Sequence, residues 1–248
     1  MGDPRLHDRH RHTEGTPNMS QQKPHDMGGV LDDTIIISTN SRDDEAQIFH
    51  EPWHARALAV TLAAGALGKW NLDASRFARE CLPADDYKKF SYYEKWLAGL
   101  CNLLVTHKLI TREEIEAGTA ESAAPHDRML KPEIVSIILA NGGPVRRDIA
   151  QKPQFEIGAR VCTKQISDTL LVPDGHTRLP AYAAGKQAVI RDCHGAHILP
   201  NAHAHFHGEA PEPLYQIAIS AAELWGENAV AGDEVILDCW ESYLEAVR

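Results

Sequence analysis

The spacing of apolar residues changes once along this chain, and that change limits the folds it can adopt. From Pro52 to about residue 117, apolar side chains recur at intervals of three and four residues, which predicts amphipathic helices. Beyond Pro153, short β-rich runs are separated by Gly, Pro and Asn, which predicts strands. Since 248 residues are enough for two cores, we expect an α+β multi-domain protein, with a helical N-terminal domain followed by a small C-terminal β-barrel.

Polar residues at the expected helix starts agree with this fold class. Ser91 is followed three residues later by Glu94, and Thr111 by Glu114, which is the spacing of a capping box. Asp73 is a favourable N-cap for an earlier helix. Along the helix that begins at Ser91, the expected buried stripe consists of Trp96, Leu97, Leu100, Leu103, Leu104 and Val105.

These patterns divide the chain into four sections. We expect a disordered leader over residues 1–26, a helical domain over 27–117, a linker over 118–152 and a barrel domain over 153–248. The linker contains one apolar run that ends at Asn141-Gly142-Gly143, which predicts a short helix. Strands are expected at residues 155–163, 187–192, 214–220 and 234–239.

Charge and cysteine usage exclude several classes of protein. The chain has 35 acidic and 25 basic residues and a net charge of -10, which argues against binding to a phosphate backbone. No apolar stretch is long enough to cross a bilayer. The five cysteines form no CxxC pair, which favours a reducing compartment. We therefore expect a cytoplasmic protein that binds neither nucleic acid nor membrane.

Histidines form the densest polar cluster. His194, His197, His203, His205 and His207 lie between two expected strands, and an extended backbone would place the last three on one face. Imidazole suits zinc, copper or nickel, but no acidic or cysteine ligand completes the set. A solvated loop is the alternative that we favour. A metal-binding role is also open for the His-rich leader, although a disordered segment explains it more simply.

No complete nucleophile or phosphate-binding motif is present, because the chain lacks GxSxG, P-loop and GxGxxG patterns. This absence points toward a subunit or a binding module. Two arginines, Arg76 and Arg178, could hold anionic oxygens across an interface, since a guanidinium is a permanently charged, planar fork of donors. An ordinary surface charge remains the alternative for Arg76, and an ordinary loop residue for Arg178.

The chain resembles the β subunit of nitrile hydratase, through short motifs in the family's order. Together they cover roughly residues 25 to 246. The motifs are HDMGG (25–29), FHEPW (49–53), LDASRF (72–77), SYYEKW (91–96), GHTRLPAY (175–182), EAPEPLY (209–215), AELWG (222–226) and DCWESYL (238–244).

The resemblance implies an enzyme with its chemistry divided between two chains. A helical N-terminal domain and an SH3-like C-terminal barrel would form the β subunit, which binds no cofactor itself. The α subunit would hold cobalt(III) or iron(III), with a mild preference for cobalt, in a CxxCxC motif that this chain lacks. The complex, an αβ heterodimer or α2β2, would be a hydro-lyase that converts small nitriles to amides. The isolated chain would be inactive.

The resemblance also assigns roles to five residues. Arg76 and Arg178 would hydrogen-bond the oxidised cysteine ligands of the α subunit, and this chain would contribute no metal ligand. Leu72, Tyr92 and Trp96 would line the substrate pocket, where an apolar wall with one phenol suits a nitrile.

The sequence departs from the family pattern in three places. Its leader before Lys23 is longer, Ser91 replaces a proline, and Phe206-His207-Gly208 replaces Gly-Leu-Gly. Two alternatives stay open. One is a thiocyanate hydrolase-type subunit, in which two small subunits are fused. The other is a non-catalytic, β-like metallochaperone for the α chain.

Overall fold

A computed structural model describes residues 25–26, 49–121 and 128–247. The expected disordered leader lies outside these residues, apart from His25 and Asp26. The helices are α1 (Pro52–Ala66), α2 (Leu72–Glu80), α3 (Ala84–Lys89), α4 (Tyr92–Thr106), α5 (Arg112–Ala117), α6 (Pro132–Asn141), α7 (Ile166–Thr169), α8 (Pro200–Ala204) and α9 (Ala221–Trp225). The strands are β1 (Arg160–Thr163), β2 (Gln187–His197), β3 (Glu212–Ser220), β4 (Glu234–Trp240) and β5 (Leu244–Ala246).

The predicted helical N-terminal region is confirmed, and its capping signals act as expected in two places. The backbone N–H of Ser91 donates to Glu94 at 2.7 Å, and that of Thr111 donates to Glu114 at 2.7 Å. The N-cap of α2 was predicted two residues too late. Asn71, rather than Asp73, caps this helix, because its side chain accepts a hydrogen bond from the Ala74 N–H at 2.8 Å.

Helices α2 and α4 pack closely in this region. Its buried core consists of Ala64, Trp70, Ala74, Leu100 and Leu103. A Cβ added at Gly99 on α4 would lie 2.7 Å from Arg79 Cγ on α2, so the missing side chain permits the close approach. Of the expected stripe, only Leu100 and Leu103 are fully buried, while Trp96 and its other members are half-buried.

The C-terminal region is an antiparallel five-stranded sheet in the order β4-β3-β2-β1-β5. Its core is formed by side chains that include Val161, Ile190, Tyr215, Ile217 and Tyr243, each at most 1% exposed. Strand β2 extends five residues beyond the predicted end, because irregularities in its pairing with β3 let the strand continue past residue 192. The predicted first strand is shorter than expected, since only residues 160–163 of 155–163 pair with neighbours.

A closed barrel is not confirmed by the strand pairing. Among the described strands, β4 and β5 occupy opposite ends of the hydrogen-bonded order and do not pair with each other. The sheet is therefore open. Strand β5, which the sequence patterns did not predict, is only three residues long and pairs with β1.

The segment between the two regions contains the predicted short helix, α6, which ends at Asn141. None of its residues is buried, although its sequence is largely apolar. Within residues 25–26, 49–121 and 128–247, no helix is both long enough and apolar enough to span a membrane.

Candidate functional site

His203, His205 and His207 do not form the common face that an extended segment would give, because the backbone here is not extended. Residues 200–204 form helix α8, and the imidazoles of His194, His203 and His205 each contact a different residue. His194 lies 3.1 Å from Asp238, whereas His203 lies 2.8 Å from Asp73. His205 accepts a hydrogen bond from the backbone N–H of His176. In the described part of the chain, no three His, Cys, Asp or Glu side chains are arranged to hold a metal ion.

One open cleft between the helical region and the sheet region contains all five residues that the resemblance singles out. Its volume is about 860 Å³. Helix α2 contributes Leu72 and Arg76, α4 contributes Tyr92 and Trp96, and the loop before β2 contributes Arg178. Arg76 and Arg178, 102 positions apart in the sequence, therefore share one surface, which sequence spacing alone does not place together.

Arg76 is held through Asp73, one turn earlier on α2. Arg76 Nη1 lies 2.9 Å from Asp73 Oδ1, and the other carboxylate oxygen lies 2.8 Å from His203 Nδ1. Asp73 is buried, whereas the Arg76 side chain remains 39% exposed toward the cleft. A second bond joins the same regions, because Asn71 Nδ2 donates to the His203 carbonyl at 2.6 Å. The arginine is thus oriented but still accessible.

Arg178 is fixed through its backbone instead. Its N–H donates to the Tyr243 hydroxyl at 3.3 Å, and that hydroxyl donates in turn to Asn201. The Arg178 residue is exposed. Among the described residues, its guanidinium makes no hydrogen bond or ion pair. A hydrogen-bonded backbone therefore presents at the cleft a cation that forms no ion pair within the described part of the chain.

A carboxylate–histidine pair, half-buried Glu80 with fully buried His176, adjoins the cleft through Glu80. Glu80 Oε2 on α2 is 2.8 Å from Nδ1 of His176, a residue with no exposed surface. Burial by itself would raise the pKa of Glu80. The hydrogen bond and charge of His176, with smaller contributions from His25 and Arg178, outweigh that effect and hold this pKa below its usual value. Sequence analysis missed this pair, although His176 lies two residues before Arg178 and Glu80 four after Arg76.

The expected substrate wall is apolar and largely open. Leu72 and Tyr92 are 56% and 64% exposed, and the Tyr92 ring lies 5.5 Å from that of Trp96. Large apolar side chains with this exposure on one cleft are typical of a surface that another molecule covers.

Two further cations border this wall, and sequence analysis missed both. The Arg79 guanidinium lies over the Trp96 ring, 4.9 Å from its centroid. The ammonium of Lys95 lies 4.2 Å from the centroid of Tyr87. Their helical positions gave a signal, since Arg79 is three residues after Arg76 and Lys95 is three after Tyr92.

The N-terminal motif also reaches the cleft. The carboxylate of Asp26 accepts two contacts from the backbone N–H of Ala181, at 2.9 and 3.1 Å. His25 and Asp26 both line the cleft. The conformation of the loop that carries Arg178 therefore depends on residues far away in sequence.

Both halves of the chain match one known family. Residues 21–144 match the family described as nitrile hydratase beta subunit, N-terminal, and residues 144–246 match nitrile hydratase beta subunit, C-terminal. A solved structure of thiocyanate hydrolase from Thiobacillus thioparus, a recombinant apo-enzyme, matches 40% of this chain and 79% of its own, at 29% identity and a TM-score of 0.35.

Curated relatives match nearly the whole chain. The cobalt-containing nitrile hydratase subunit beta of Pseudonocardia thermophila is 31% identical over 231 residues, which cover 89% of this chain and 97% of the relative. The low-molecular weight cobalt-containing nitrile hydratase subunit beta of Rhodococcus rhodochrous is 28% identical over 228 residues, with the same coverage of both chains. The nitrile hydratase subunit beta of Pseudomonas putida is 31% identical over 224 residues. This chain therefore belongs to the nitrile hydratase β-subunit family.

Proposed function

We propose that this chain is the β subunit of a nitrile hydratase, which hydrates nitriles to amides together with an α subunit. The observation that carries the proposal is the meeting of Arg76, Arg178, Leu72, Tyr92 and Trp96 on one cleft. Two accessible guanidinium groups and an apolar, aromatic wall form the parts of a site, but they do not supply a complete reaction centre. Membership of a family of β subunits accounts for that incompleteness.

The arginines would bind the oxidised cysteine ligands of the partner's metal centre. Sulfinate and sulfenate oxygens are anionic acceptors, and guanidinium groups form charge-assisted hydrogen bonds with them. The residues here fit such a group: Arg76 is oriented by Asp73, and the Arg178 guanidinium forms no ion pair or hydrogen bond with a described residue. The metal, for which the cobalt-containing relatives favour cobalt(III), would supply Lewis acidity toward the nitrile.

The remaining cleft residues would position the substrate. Leu72 and Trp96 offer apolar contact for the tail of a nitrile, and the Tyr92 hydroxyl offers one hydrogen bond. Association with the α subunit would cover the exposed Leu72 and Tyr92 and exclude water from the cleft. We infer an αβ heterodimer or its α2β2 dimer, and an isolated chain that is inactive.

An SH3-like organisation of the C-terminal sheet is part of this proposal. Only the short turn Glu241–Tyr243 separates β4 from β5, although these strands occupy opposite ends of the sheet order. A three-residue connection can join the two ends only if the sheet is strongly coiled, which supports a partly open barrel.

Coexpression with an α chain that carries CxxCxC tests the proposed function. The purified complex should contain cobalt or iron by elemental analysis and should convert acrylonitrile to acrylamide. A complex that hydrolyses thiocyanate but hydrates no nitrile would favour the thiocyanate hydrolase alternative. Transfer of metal to the α chain without formation of a stable complex would favour the metallochaperone. Nitrile hydration by the isolated chain would contradict the divided site.

A further inference from the structure

The cleft is cationic in a chain that is acidic overall. Four basic side chains line it, together with the two carboxylates of Asp26 and Glu80. The basic residues are Arg76, Arg79, Lys95 and Arg178. The chain as a whole has a net charge of -10. Both carboxylates are already engaged, Asp26 with the Ala181 backbone and Glu80 with His176. The proposed function uses Arg76 and Arg178, which leaves Arg79 and Lys95 without an assigned role.

Arg79 is a half-buried cation that forms no ion pair with a described residue, although the charge of neighbouring Glu80 acts to raise its pKa. Its stem is confined between α2 and α4, because a Cβ at Gly99 would come within 2.7 Å of Arg79 Cγ. The residue is half-buried, and burial is the main cause that lowers its pKa. Within the described chain, Arg79 makes no ion pair, and its guanidinium lies against the face of the Trp96 ring. A cation–π contact offsets only part of the cost of removing a guanidinium from water.

Lys95 repeats this arrangement on the neighbouring helix. Its ammonium lies over Tyr87 and, among the described residues, it also lacks an ion pair. Arg79 and Lys95 thus border the aromatic wall formed by Tyr92 and Trp96. A neutral nitrile needs no positive charge beyond the reaction centre, so these two cations call for a different feature of the substrate.

We propose that this cleft selects nitriles that carry a negative charge close to the C≡N group, with Arg79 as the main specificity-determining residue and Lys95 as a weaker one. This inference rests on the proposed function and names its substrate class. An anionic group placed beside Trp96 would accept charge-assisted hydrogen bonds from the Arg79 fork. Focusing of the positive potential in the cleft would also raise the rate at which anions enter it.

Cyanoacetate and cyanoacetamide form a matched pair for the test, because they have nearly the same size and differ in charge. With the complex of this chain and its α partner, kcat/KM should be higher for cyanoacetate by on the order of tenfold, the difference between a charge-assisted and a neutral hydrogen bond. Raising the ionic strength should reduce this ratio, since salt screens the attraction. A ratio of one or below overturns the inference.

Variants of Arg79 test whether this residue causes the preference for cyanoacetate. Arg79→Met keeps an unbranched stem against Gly99 and removes the charge, so the ratio of the two kcat/KM values should fall toward one. Arg79→Lys should retain part of it, and Lys95→Met should lower it less. Arg191→Met is the control for net charge, because Arg191 pairs with Glu234 outside the cleft.

The possible results distinguish a failure of the inferred substrate preference from a failure of the proposed function. An unchanged ratio in Arg79→Met overturns the assignment and indicates that Arg79 serves packing or pairs with the partner subunit. Hydration of both nitriles at equal kcat/KM overturns this inference and leaves the proposed function standing. Hydration of neither nitrile, nor of acrylonitrile, overturns the proposed function and the substrate class with it.

Discussion

Asp73 on α2 and His203 on α8 lie 2.8 Å apart, carboxylate oxygen to ring nitrogen, across the boundary between the helical region and the sheet region. The other oxygen of the same buried carboxylate lies 2.9 Å from Arg76. One side chain therefore connects the packing of the two regions with the orientation of an arginine in the cleft. Any movement of α8 relative to α2 would alter that orientation.

Removal of the Asp73 charge should lower activity through Arg76. Asp73→Asn keeps the size of the side chain but removes its negative charge, so the ion pair that orients Arg76 is lost. We expect kcat/KM for acrylonitrile to fall by about 10- to 100-fold, as for other residues that orient groups at a metal site. Asp168→Asn is the control, because Asp168 is exposed on α7 and does not line the cleft. Equal activity of the two variants would contradict the orienting role.

The two arginines should not tolerate lysine. Arg76→Lys and Arg178→Lys retain the charge but lose the planar fork that matches two oxygens at once. Activity of the complex should fall by about 10- to 100-fold in each case, while thermal unfolding and metal content stay near the wild-type values. Arg160→Lys serves as the control, since Arg160 is exposed and donates to Gln187 outside the cleft. Wild-type turnover in both cleft variants would remove the role assigned to them.

Local patterns allowed some of these features to be predicted from sequence, and long-range contacts explain the failures. The Ser91 and Thr111 caps depend on residues three positions away, and both predictions were correct. Asp73 was predicted as a cap because a local pattern does not show its partner His203, which lies 130 residues later in the sequence. The histidine segment was interpreted either as an extended strand with a metal-binding face or as a solvated loop. In the structure, His203 contacts Asp73 on α2, and His205 contacts the backbone of His176 in the loop before β2.

The open sheet and the shared cleft also depend on contacts between residues far apart in the sequence, which local patterns do not show. Strand periodicity indicates which residues face a core, but it does not determine whether the first and last strands pair. The grouping of Arg76 with Arg178 came from family motifs. Arg79 lies outside these motifs and Lys95 was given no role within its motif, and the two meet at one cleft only when α2 and α4 are packed together.

The Glu80–His176 pair should make stability depend on pH in the acidic range. The pKa of Glu80 is below its usual value of 4.5, so the folded state binds this proton less readily than the unfolded state. The stabilisation is therefore complete above about pH 5.5. It is lost as the pH falls below 4.5, through the folded-state pKa. The difference in melting temperature between the wild-type complex and Glu80→Gln should thus shrink from pH 7 to pH 4.

An exposed glutamate provides the comparison for that measurement. Glu227 lies on the surface outside the cleft, so Glu227→Gln should show a small difference in melting temperature that varies little with pH. If the difference for Glu80→Gln stayed constant between pH 7 and pH 4, the ionised Glu80 carboxylate would not contribute to stability, and a neutral hydrogen bond would describe the contact better.

Close packing of α2 and α4 should make Gly99 intolerant of a side chain. In Gly99→Ala the new Cβ would lie 2.7 Å from Arg79 Cγ and 3.4 Å from Arg79 N, so the whole stem of Arg79 has to move. We expect a loss of about 1–3 kcal/mol in the free energy of unfolding, the usual cost of overpacking. Gly65→Ala, in α1, is the matched control because a Cβ there meets nothing within 4 Å. Alanine should instead stabilise that helix by about 0.5–1 kcal/mol. Thermal unfolding measures both changes.

Gly99→Ala should also change the substrate preference, because the clash displaces Arg79 from Trp96. The preference for cyanoacetate over cyanoacetamide should fall in Gly99→Ala and should stay unchanged in Gly65→Ala. A stable Gly99→Ala complex with the wild-type preference would show that the position of Arg79 does not depend on this contact.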